Sequence, residues 1–142
     1  MSYDPFQTQV SIAVLAVGLY VVIVSAMSCC GWRQLARNYS AELKPSGPTF
    51  RNVSGWITLL GSYRHALTVV SSLMGVYVET PWFVFFHRPL LFPWRCVSAI
   101  DRRAGILTPY TGVTISAGGH RFRLRLPERA AAEFLSHAAL GS

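Results

Sequence analysis

No lysine or arginine precedes Arg33, and Asp4 is the only carboxylate before it. A secretory signal peptide opens with positive charge and ends at a small-residue cleavage site, so the stretch from Met1 to Pro5 and the long apolar run after it argue against cleavage. Cysteine is also scarce. Cys29 and Cys30 are adjacent and Cys96 lies far away among apolar residues, which excludes a disulfide framework and fits a reducing compartment. Cys96 reads as a small core residue; the adjacent pair reads as small residues at a helix end, with lipidation the alternative. Histidines His65, His87, His120 and His137 stand singly, without Cys-x-x-Cys or His-x-x-x-His spacing, so no metal site is expected. A Gly-rich phosphate loop and a Gly-x-Ser-x-Gly elbow are both lacking, and the five later carboxylates are not paired as acid and base. These gaps leave no catalytic residue and no cofactor to name. Glu79 stands alone in an apolar stretch, where an ion pair is expected and a shifted carboxyl is the alternative.

What the chain does have is apolar surface: 51% of its residues are hydrophobic and 13% are charged. An average soluble domain is roughly 25% charged. Residues 10–30 are free of charge. As a helix they span about 31 Å, enough for the roughly 30 Å of a hydrocarbon core. All thirteen basic residues follow this run. Arg33, Arg37, Lys44 and Arg51 come first, so the positive-inside rule predicts a single-pass inner-membrane protein with its N-terminus out and its C-terminal part cytoplasmic. The expected divisions are an extracytoplasmic terminus (1–9), a transmembrane helix (10–31), a juxtamembrane amphipathic helix and linker (32–48) and a cytoplasmic domain (49–142). Tyr3, Phe6 and Trp32 are placed as interfacial aromatics, with Arg33 and Arg37 at the headgroups. A competing second span over residues 66–86 carries Glu79 and Pro81 and would export eight arginines, against the charge rule.

Between Gly31 and Leu43, residues Trp32, Leu35, Ala36, Tyr39 and Leu43 recur at helical spacing, and Lys44 to Pro48 form a turn-rich boundary. Beyond it the pattern predicts about seven short strands: 50–60, 66–71, 73–80, 82–86, 92–100, 112–117 and 120–126. The last alternates most cleanly, with Phe122, Leu124 and Leu126 on one face and Arg121, Arg123 and Arg125 on the other, after a Gly118-Gly119 hairpin turn. Residues 127–140 read as a helix, with Pro127 at its first turn and Gly141 past its end. The fold class is therefore α+β: a transmembrane helix, then an antiparallel barrel or sandwich of about seven strands capped by a C-terminal helix.

This order of elements resembles the pleckstrin-homology-like superfamily, including GRAM and bacterial PH-like domains. The resemblance covers about residues 49–140, and its best local cue is Pro89-Leu-Leu-Phe-Pro-Trp-Arg-Cys-Val-Ser-Ala-Ile100, which looks like the (I/F)PW..I strand of such domains. As a whole the chain also resembles small uncharacterised bacterial membrane proteins built from one span, a Gly-Trp-x-x-Leu-Ala-x-x-Tyr segment (here Gly31 to Tyr39) and such a domain. The basic motif that phosphoinositide-binding members carry around their first two strands is not reproduced, since Arg51 and Arg64 stand alone there.

Two surfaces carry the functional expectation. Arg121, Arg123 and Arg125, with Arg102 and Arg103, form a basic face for an acidic protein or for anionic lipid, an ordinary solvated strand face being the alternative. Near an anionic membrane each such basic residue is worth about 1 kcal/mol. Twelve of the thirteen cations are arginine, which suits planar multi-bond contacts to carboxylate or phosphate, although a GC-rich genome produces the same bias. The second surface is the aromatic segment holding Trp82, Phe86, His87, Arg88, Phe92 and Trp94, a docking element for bilayer or complex. Nucleic acid is not expected, because the basic residues lack interleaved stacking aromatics. The expected function is a non-enzymatic membrane-anchored interaction protein, an accessory subunit of an integral membrane complex with protein partners; the alternative is a sensor of anionic lipid or a small ligand.

Overall fold

In the computed structural model, which describes residues 5–27, 31–57, 61–84 and 87–140, the apolar run is one helix, α1 (Pro5–Met27). Its side chains are apolar around the whole circumference and exposed at nearly every position; it is long and apolar enough to cross a membrane over Pro5–Ala26. A helix apolar on every side has no single face to offer a soluble core. Tyr3, Cys29, Cys30, Phe86 and Gly141 lie outside the described residues, as do residues 58–60 of the first expected strand.

A seven-stranded antiparallel sheet follows: β1 (Thr49–Trp56), β2 (Ser62–Ser72), β3 (Gly75–Glu79), β4 (Leu90–Phe92), β5 (Val97–Arg103), β6 (Tyr110–Ala117) and β7 (His120–Pro127). Their spatial order is β4-β3-β2-β1-β7-β6-β5. The sheet curls into a half-barrel about β1, which pairs with β2 along its length but with β7 only from Ser54 to Trp56. The β1–β2 register shifts beside Asn52 and His65, whose φ angles of 56° and 49° mark the bulges that bend this pair. The β6–β7 hairpin turns on Gly118 and Gly119, both at positive φ, as a two-residue turn of the type that matches strand twist requires.

Alternation then fills the inside. Val53, Leu67, Val69, Val76, Val78, Val113, Ile115, Phe122, Leu124 and Leu126 point inward and are buried, while most of their strand neighbours face out. Helix α3 (Ala130–Leu140) packs against β5, β2 and β7: Phe134 packs on Phe50 and Trp94, and His137 shares a 2.8 Å hydrogen bond with Ser71. A short helix, α2 (Arg33–Tyr39), packs along β4. Residues 66–79 belong to β2 and β3, so the second-span alternative does not describe this fold.

The seven strands are there, but one comes from an unexpected place. Trp82 to Val84, expected as a strand, is a turn closed by the Val84 amide donating to the Pro81 carbonyl at 3.0 Å, because its aromatics follow no period-2 pattern. The fourth strand is instead the short Leu90–Phe92, and the expected 92–100 strand is broken after it by a 3-10 turn at Trp94–Cys96. The C-terminal helix starts at Ala130 rather than at Pro127, which closes β7.

Candidate functional site

Strand alternation and register together build a basic concavity on the outer face of β1, β7, β6 and β5. Arg121, Arg123 and Arg125 leave β7 on the side opposite the core, opposite Ser116, Thr114 and Gly112 of β6. On β5, Arg103 pairs with Tyr110 and so joins this face. On β1, Trp56 stands opposite Arg123. Gly112 keeps the floor low: a Cβ there would sit 3.5 Å from Nε of Arg103. The result is an open concavity of about 550 Å³ whose lining includes Trp56, Arg103, Tyr110, Arg121, Arg123 and Arg125.

Its electrostatics are one-sided. The Arg103 guanidinium reaches the Asp101 carboxylate at 3.3 Å. Both side chains are about half exposed, so the pair is weak. Arg125 lies over the Tyr110 ring, 4.2 Å from its centroid, a cation–π contact that occupies the face of the guanidinium and not its N–H donors. Among the described residues, no carboxylate lies within ion-pair distance of Arg121, Arg123 or Arg125. Three cations about 7 Å apart along a strand, with aromatic side chains at the rim, match an extended or branched anion rather than a single small ion.

Arg102, expected on this face, pairs with Thr111 and leaves β5 on the opposite side. Adjacent residues on a strand cannot share a face, so the Arg102–Arg103 pair divides. Trp56 and Tyr110 are absent from the sequence expectation: they join the site only through sheet register, for which the sequence carries no local signal.

The aromatic segment divides too. Phe92 and Trp94 are core, with the Trp94 indole N–H donating to the Ser72 carbonyl at 2.9 Å, and His87 is buried with its Nε2 2.8 Å from the Tyr63 hydroxyl. Arg88 and Trp82 are exposed. Phe6, at the start of α1, and Arg33 and Arg37, past its end, are exposed; Trp32, placed at the interface by the sequence reading, is 0% exposed, packed among Tyr63, His87 and Phe122, with its indole N–H on the Arg88 carbonyl at 2.9 Å. Leu35 joins it in the core. The segment placed between membrane and domain thus supplies part of the domain's interior, since one apolar face at helical spacing packs on a sheet as well as on lipid.

Glu79 is engaged at both oxygens, by Lys44 Nζ at 2.6 Å and by the Tyr77 hydroxyl at 2.9 Å. Burial, then the hydrogen bond to Glu79 and its negative charge, push the Tyr77 phenol well above its usual range. Tyr39 is raised as well, first by its hydrogen bond with Cys96 and then by burial. Among the described residues, no three of His, Cys, Asp and Glu converge as metal ligands. Compared with protein-family models, with curated proteins and with solved structures, the chain gives no match.

Proposed function

We propose that this protein is a non-enzymatic, membrane-anchored interaction module: α1 spans the inner membrane with its N-terminus out, and a PH-like domain on the cytoplasmic side holds the acidic surface of a protein partner as an accessory subunit of an integral membrane complex. The strand order and the C-terminal helix support the PH-like reading. The observation that carries the function is the arginine ladder of β7, three guanidinium groups with no acidic partner among the described residues, beside Trp56 and Tyr110 in an open concavity. Arginine with aromatic neighbours is the composition that dominates binding energy at protein interfaces.

One observation favours a second reading, anionic lipid. The ladder begins at Arg121, next to His120, whose ring hydrogen-bonds Gln34 of α2 just past the exit of α1. A ladder starting there meets the negative surface potential of a bilayer at its near end and leaves it within about one Debye length, roughly 8–10 Å.

The test is affinity isolation of the full chain from its native membrane in mild detergent, for wild type and the R121Q/R123Q/R125Q variant. The expected result is a stoichiometric set of membrane proteins that survives high salt with wild type and is lost with the variant. A wild-type chain that emerges alone, and binds vesicles in proportion to their anionic lipid with steep salt dependence, overturns the subunit reading in favour of lipid.

A further inference from the structure

The turn between β3 and β4 leaves its apolar side chains in an unusual position. Trp82 is 85% exposed and Phe83 46% exposed, at the tip of a connection whose two limbs are anchored in the core. The tip is not free in space. The Tyr20 hydroxyl of α1 donates to the Phe83 carbonyl at 2.5 Å. Val24, one helical turn on and therefore on the same helix face, is the only buried residue of α1 among the described side chains.

Tyr20 lies about 9 Å along the helix from Ala26, where the apolar window ends. A turn docked at that level of a spanning helix lies below the headgroups. Part of its backbone is paired for such a place. Hydrocarbon tolerates irregular backbone only where polar groups are paired. Here Pro81 has no N–H, the Pro81 carbonyl accepts from the Val84 amide, and the Phe83 carbonyl accepts from Tyr20. Further on, the carbonyl of exposed Arg88 accepts from the Trp32 indole, so that Arg88 stands beside the start of α2, where Arg33 and Arg37 are exposed as well.

We infer that the Pro81–Val84 turn is a membrane-embedded wedge, with Trp82 and Phe83 among the lipid acyl chains beside α1. This rests on the reading of α1 as a membrane span. The occupant of the exposed aromatic surface is lipid, because the turn that carries it is tied by the Tyr20–Phe83 hydrogen bond to α1 within the apolar window Pro5–Ala26. A wedge beside the anchor gives the domain two points of attachment, and so a fixed orientation instead of free swinging about the helix exit.

The experiment uses the full chain in liposomes with lipids brominated on the acyl chain. Trp32 and Trp94 are buried, so the difference between the Trp56→Phe variant and the Trp56→Phe/Trp82→Phe variant isolates Trp82. Trp82 is expected to emit to the blue, to be quenched by the brominated lipid and to be indifferent to aqueous iodide. Quenching by iodide and not by lipid, with the chain still resistant to carbonate washing, overturns the wedge while leaving the anchor standing. Protection from both quenchers also overturns it, since protein then covers the turn. Release of the chain by carbonate overturns the anchor and the wedge together.

Discussion

Helices α1 and α2 follow each other closely along the chain and treat their apolar side chains in opposite ways. In α1 the apolar residues run around the whole circumference and almost none is buried. In α2 they keep to one face: Leu35, with Trp32 just before the helix, is wholly buried, and Ala36 and Tyr39 pack against the same core. The lesson is that the arrangement of apolar residues, more than their number, decides whether a helix packs on a sheet. A helix without a polar face cannot satisfy a one-sided sheet, and a helix with a narrow apolar face completes one.

That contrast is broken most severely by one substitution on each side. Trp32→Ala removes a buried indole touching Tyr63, His87 and Phe122. Truncations of this kind cost about 3–5 kcal/mol. The expected outcome is a domain that unfolds at much lower denaturant while the chain still resists carbonate extraction. Leu15→Arg, at the middle of α1, shifts the insertion free energy by roughly 3 kcal/mol. Its expected outcome is the reverse: a chain recovered outside the membrane, with the circular dichroism of the sheet retained. If Trp32→Ala leaves the unfolding midpoint unchanged, the α2 segment does not belong to the core.

A smaller effect sharpens the boundary between the two helices. Gly31 has φ +118°, and a Cβ there would meet Cγ2 of Ile57 at 2.7 Å. Side chains rarely adopt that conformation. Gly31→Ala is expected to cost about 1–3 kcal/mol of domain stability, read as a lowered melting temperature, with membrane integration unaffected.

How much of this is legible in the sequence follows from what each element requires. The apolar helix needs only composition and length, and the β6–β7 hairpin needs only period-2 alternation and a Gly-Gly turn, so both can be read from short windows. The Trp82–Val84 turn reads as a strand because its aromatics have strand propensity, and β4 is too short to show a period. The apolar face of α2 is visible, yet its partner is not, since lipid and a sheet interior ask for the same spacing. In the basic site the β7 ladder is plain. Arg103 is named there from the sequence as well, but bringing in Tyr110 and Trp56, and turning Arg102 away, depends on registers across four strands that no local pattern encodes.

The smallest expected effect concerns the Glu79 carboxylate of β3, on which the segment after α2 and the Tyr77 hydroxyl both converge. Lys44, in the turn-rich stretch expected as a boundary, is held to β3 through Glu79, which also accepts from the Tyr77 hydroxyl; the Lys44 ammonium lies 6.0 Å from the Tyr77 ring centroid. In the folded chain the Tyr77 phenol keeps its proton to higher pH than in the unfolded chain, where it titrates near 10. Below that pH both states hold the proton and the contribution to stability is complete. As pH rises above it, the unfolded state alone releases a proton, so stability falls, by at most about 1.4 kcal/mol per pH unit and by less where solvent screens the site. Tyr77→Phe is expected to lose about 0.5–1.5 kcal/mol at neutral pH with the hydrogen bond, and to show a shallower decline than wild type between about pH 10 and 12. Denaturant midpoints of both proteins at neutral and alkaline pH measure this. Parallel declines would mean that Tyr77 titrates alike in both states, and that neither its burial nor its hydrogen bond to Glu79 holds the phenol proton in the folded chain.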